Sequence, residues 1–264
     1  MTMSKETRER VFDRLTASSQ TISEVRAANV DKQPFDREWE VLRELGKRYV
    51  IRALTGNTIF QELYQVSEEQ LVREWDAFVD QSLVVAKAIL NDLEIDPPDE
   101  VVFDQYVNSG EHVIAAMAMT EDGKHVLSFI SVELVAFFLG YIGRKNGMSF
   151  QKAAAWYDFQ SILAHELRHL KQHLKYPNVS NKNQRKKYLE RLSEYDARVY
   201  SLHWLRKQQP ETLSERLGLW LSRAGILIEQ LYPVNDLEKK IHKKFGLNEP
   251  GIVQGIRSIF TDSV

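Results

Sequence analysis

Residues 150–175 read FQKAAAWYDFQSILAHELRHLKQHLK, and the fold follows from how this stretch winds. At 3.6 residues per turn, Trp156, Phe159, Leu163, Leu167, Leu170 and Leu174 gather on one side, with Ala164, Arg168, Lys171 and Lys175 roughly opposite. This pattern predicts a long amphipathic helix anchored in a core. His165, Glu166 and His169 stand at the border between the two sides. Two imidazoles four residues apart lie about 40° apart around the axis and about 6 Å along it, so both can converge on one zinc ion at bonds of roughly 2.0 to 2.1 Å. Glu166 then falls beside the ion, where its carboxylate can take a proton from water that the metal acidifies toward a pKa of about 7. Seven His and 23 Glu in 264 residues would place an HExxH pattern by chance only about 0.02 times.

A catalytic zinc site takes three protein ligands and keeps a fourth position open. Lys175 stands where an HExxHxxGxxH pattern needs its third His, and Gln172 where it needs Gly, which excludes that arrangement. His173 lies about 12 Å along the helix from His165 and is expected at the rim. Acids on the next expected helix, Lys187 to Gln208, remain; Glu190 and Glu194 are four apart there and share a face.

Ser193-Glu194-Tyr195-Asp196-Ala197, taken with the His165 to His169 motif, resembles the gluzincin branch of the HExxH zinc metallopeptidases over roughly Lys124 to Trp204. In that family a glutamate on a second helix completes the site, often followed by a small residue three positions later. The resemblance implies Glu194, rather than Glu190, as the third metal ligand beside His165 and His169. Ala197 would be the small residue that lets the second helix approach. It further implies one Zn2+ per chain and a zincin-like core, mainly α with a small antiparallel β-sheet (α+β). Glu166 would be the catalytic base of peptide hydrolysis, and an edge strand, His125 to Ser131 or its partner, would hold an extended protein or peptide substrate. Arg198 stands where many relatives carry an acid, so support for the imidazoles is expected from Asp196 or Asp158. Donors to a developing oxyanion are sought among Tyr195, Tyr157, His112 and His125. His203, nine residues after Glu194, should face away from it.

Ahead of the motif, His112 to Met119 and His125 to Ser131 flank Asp122-Gly123, a strong hairpin signal, and Val101 to Tyr106 offers a third strand. The other expected helices are Lys5 to Ala28, Phe35 to Leu54, Glu68 to Leu93, Val132 to Asn146, Glu211 to Leu231, Leu237 to Phe245 and Pro250 to Phe260. Ser67 and Gln70 form a capping box, Gly56 and Gly147 follow helical stretches, and Pro97-Pro98, Pro177 and Pro210 mark breaks. The break at Pro97-Pro98 suggests an N-terminal helical region, 1–96, and a zincin-like core with C-terminal helices, 97–264. It is equally readable as a corner inside one domain.

A net charge of −2 supplies no basic field, so nucleic acid is not an implied partner. The local run Lys182, Arg185, Lys186 and Lys187 reads as a solvated loop. Zero cysteines leave His and carboxylate as the zinc ligands and exclude disulfides and thiol catalysis. Met1 to Arg10 is charged and shows no secretory signal, and Leu134 to Ile142, the most apolar stretch, is too short to span a bilayer. The expectation is therefore a cytoplasmic zinc metallopeptidase acting through a zinc-activated water on a specific intracellular protein, with no membrane partner. The first third would choose the substrate or cover the cleft. Two rivals stand beside it: a non-proteolytic regulatory or binding protein that keeps a zincin-like zinc site, and a helical structural protein without metal.

Overall fold

The computed structural model describes residues 19–51, 64–104, 115–143, 149–176 and 192–227. The described chain is mostly helical with one three-stranded sheet, an α+β arrangement. It forms two compact units, Met1–Met148 and Ser149–Val264, and the Pro97-Pro98 break lies inside the first. His112, Glu190, Gly56, Gly147, Pro177, the basic run and the helices expected at 237–245 and 250–260 lie outside the described residues.

The first unit contains α1 (Ser19–Ala28), α2 (Pro34–Leu45) continued by a π-helical turn (Gly46–Ile51), α3 (Glu68–Leu93), β1 (Glu100–Asp104), β2 (Ala115–Met119), β3 (His125–Ile130) and α4 (Ser131–Ile142). α3 starts where the capping box predicts, with the Ser67 hydroxyl accepting the Gln70 N–H at 3.2 Å. Its core is aromatic: Trp39, Trp75, Phe78, Phe129 and Phe138 are all buried. The Trp75 and Phe138 rings meet edge to face at 5.1 Å, and Trp39 meets Phe129 at 5.8 Å, the geometry that the ring quadrupole favours. The Trp75 indole N–H donates to the Arg43 carbonyl at 3.0 Å. A Cβ at Gly46 would stand 1.9 Å from that indole, so only glycine lets the end of α2 approach Trp75.

The sheet corrects one expectation. It is mixed rather than antiparallel, in the order β1-β3-β2, with β1 parallel and β2 antiparallel to β3. The β2–β3 hairpin forms around Gly123, whose N–H reaches the Thr120 carbonyl at 3.0 Å and whose φ of +84° suits glycine. Asp-Gly specifies that hairpin locally, but nothing local specifies where a third strand pairs. β1 joins the far side of β3, whose largely apolar residues suit a strand buried on both faces. Val126, Leu127, Ser128 and Phe129 are accordingly all buried. β3 is thus the central strand, and β1 and β2 are the edges.

The second unit contains α5 (Ser149–Lys175), α6 (Leu192–Arg206) and a helix at 213–227, α7. α5 and α6 run antiparallel. Gln172 bonds the Ser193 carbonyl at 3.0 Å near one end, while the Ser201 hydroxyl reaches the Ser161 carbonyl at 2.8 Å and Trp204 donates to Gln160 at 3.3 Å toward the other. α7 presses on the start of α5, where a Cβ on Gly218 would stand 2.6 Å from the Ala154 nitrogen. Phe159, Leu163, Leu167 and Leu170 are buried as the periodicity predicts. Opposite the stripe, Ala164 is fully buried and Arg168 is an ion-pair partner of α6, while Leu174 at the end of the stripe is 49% exposed. A second helix covers part of this side, leaving Lys175 exposed, and the stripe runs out before Leu174.

Candidate metal centre

α5 carries His165 and His169 one turn apart with Glu166 between them, and α6 brings Glu194 to them from its first turn. Ala197, one turn beyond Glu194, is fully buried. A small side chain there suits two helices close enough for the Ser201 hydroxyl of one to reach a backbone carbonyl of the other.

Three donor atoms face one another. His165 Nε2 lies 3.2 Å from Glu194 Oε2, His169 Nε2 lies 3.4 Å from the same oxygen, and the two Nε2 atoms are 3.1 Å apart. A tetrahedral ion with bonds of roughly 2.0 to 2.1 Å requires donors about 3.3 Å apart. The triangle therefore matches the face of such a tetrahedron, and the trio fits one metal ion. The imidazoles stand nearly perpendicular, at 83°, with their centroids 4.7 Å apart, so their Nε2 atoms meet without stacking. Glu166 stays outside the trio, its Oε1 4.0 Å from His165 Nε2, and is 9% exposed; Glu194 is 6% exposed.

The electrostatics favour positive charge at this point. Burial alone would lower the pKa of His169, but the hydrogen bond and charge of Glu194, the charge of Glu166 and the bond to Gln172 outweigh it and hold the imidazole at about 9. The same negative field serves a proton or a metal cation.

Around the trio runs a chain of polar contacts. His169 Nδ1 meets Gln172 Oε1 at 2.9 Å, and the Gln172 amide donates to the Ser193 carbonyl at 3.0 Å and to Asp196 Oδ2 at 2.7 Å. Asp196 also receives Arg168 through both oxygens, at 2.7 and 2.9 Å. Burial would raise the pKa of Asp196, but these bonds from Arg168 and Gln172 turn it downward.

Asp196, one of two acids expected to support the imidazoles, connects to His169 through Gln172. Gln172 itself escaped the sequence reading, although its place three residues after His169 puts it on the same helix face. Arg198 is half-buried on α6. Of the oxyanion candidates, Tyr195 is half-buried beside Glu194, whereas buried Tyr157 has Glu215 and Arg223 of α7 as its charged neighbours. His125 belongs to the first unit, where its backbone N–H donates to Asp99 at 2.7 Å. His203 is exposed, with Tyr200 its ring neighbour at 6.3 Å, and His173 is half-buried a turn past His169.

Compared with protein-family models, with curated proteins and with solved structures, the chain matches none significantly. Its site must therefore be interpreted from its own geometry. Among the described residues, no helix is long and apolar enough to cross a membrane.

Proposed function

We propose that this chain is a zinc-dependent peptidase of the gluzincin type, cleaving a protein or peptide substrate. The observation that carries the reading is the triangle of His165, His169 and Glu194 donors with the Glu166 carboxylate 4.0 Å from the nearer imidazole nitrogen. Two imidazoles and one carboxylate in near-tetrahedral spacing, in a chain with no cysteine, form a donor set suited to zinc. Zinc, when bound, supplies Lewis acidity, lowering the pKa of water toward about 7 and polarising a substrate carbonyl. The chain's own contribution is positional. His165 and His169 offer Nε2 to the centre, and Glu194 brings a negative charge from the second helix. Glu166, close to the centre but outside the trio, is placed to accept a proton from attacking water and to return it to the leaving amine.

Glu166→Gln separates these roles. The purified wild-type chain is expected to carry about one zinc per chain and to cleave unfolded, fluorescently labelled casein in a chelator-sensitive manner. The variant should retain zinc and lose hydrolysis. Equal turnover by the two proteins would refute the mechanism, and a wild-type chain that binds no zinc would refute the centre.

A further inference from the structure

Gln172 lies outside the trio, yet its amide contacts both helices that supply ligands. The Ser193 carbonyl and the Asp196 carboxylate, which is bound through both oxygens to Arg168, can only accept hydrogen bonds. Both face the same end of the Gln172 side chain, so that end must be the NH2 group, with one proton for each acceptor. The other end, facing His169 Nδ1 at 2.9 Å, is then the carbonyl oxygen, which also only accepts. The shared proton must therefore sit on Nδ1, and in the neutral ring Nε2, which carries the lone pair, turns toward His165 and Glu194. Ser193, held by the same amide, immediately precedes Glu194.

We propose that Gln172 is a positioning residue of the metal centre: through one amide it sets the tautomer of His169 and fixes the start of α6, coupling the second ligand to the third. The inference rests on reading the trio as a metal site. A glutamine that only ties two helices together would stabilise the fold without altering how tightly the folded chain holds metal. A positioning glutamine alters both.

The test uses the full chain, zinc itself and the variant Gln172→Leu, with Gln172→Met as a second variant that keeps side-chain length should the first fail to fold. Zinc affinity is measured by competition with a chromophoric chelator, and the thermal midpoint of the metal-free protein is recorded beside it. In the zinc-loaded wild type, the His169 Nδ1 proton should give a slowly exchanging imidazole N–H resonance. The expected result is about a 10- to 100-fold loss of zinc affinity together with loss of that resonance, the size typical when a partner of a ligating histidine is removed. Unchanged affinity and an unchanged resonance would overturn the inference and leave the metal centre standing. A wild type that binds no zinc would overturn both.

Discussion

Removing the carboxylate of Glu194 should uncouple His169 from its proton, and the size of the effect follows from the site. In the metal-free chain His169 titrates at about 9 instead of the ordinary 6.5, despite burial that opposes its charge. At about 1.4 kcal/mol per pH unit, the whole upward shift corresponds to roughly 3 kcal/mol. The Glu194 hydrogen bond, the first of the upward influences, and the Glu194 charge are both lost in Glu194→Gln, so the variant should lose stability on the order of that whole shift. Because the folded pKa lies above the unfolded one, this stabilisation is fully present below pH 6.5 and is lost as pH rises through about 9. Urea unfolding in the presence of chelator should therefore show wild type and Glu194→Gln furthest apart near pH 6. The gap should close above pH 9, where the wild type buries a carboxylate beside a neutral ring. An NMR titration of His169 should move from about 9 toward 6.5 in the variant. A His169 midpoint that stays in place, or a stability gap independent of pH, would refute the reasoning. Zinc must displace the same proton, so wild-type affinity should rise about tenfold per pH unit until it levels near pH 9.

Ala197→Leu should separate the ligand-bearing helices. Three added carbons at a fully buried position cost about 1 to 3 kcal/mol by overpacking, and the Glu194 oxygen, now 3.2 and 3.4 Å from the two nitrogens, should retreat from them. Chelator competition should then report weaker zinc binding, whereas Ala197→Ser should stay near wild type. In the first unit, Gly46→Ala sets a methyl 1.9 Å from the buried Trp75 ring and should cost about 3 kcal/mol or more in a denaturant midpoint. Gly123→Ala, strained at φ +84° but with nothing within 4 Å, should cost only about 1 kcal/mol.

What the sequence made legible was local. The 3.6-residue period of the motif helix, the Ser67 cap, the Asp122-Gly123 turn and the four-residue spacing of His165 and His169 are each decided by atoms within a turn or two of chain. Glu194 was legible for a different reason: a known family pattern pointed to it, and an alanine three positions later gave that pattern a steric meaning. The pairing of β1 was not legible, because the strand that it joins lies more than 20 residues away and either edge of the hairpin would satisfy the same hydrogen-bonding groups.

The same limit hides the partner of Arg168. Arg168, read alone, belongs in water, because burying a guanidinium without a partner is costly. Asp196 lies 28 residues further on and removes that cost with a two-pronged ion pair. Once Asp196 is held there it presents an acceptor to Gln172, and once Gln172 is oriented it presents an acceptor to His169. A periodicity argument treats each of these residues as a separate choice between core and solvent. The folded chain makes them one hydrogen-bonded series, in which three contacts lead from Arg168 through Asp196 and Gln172 to Nδ1 of His169.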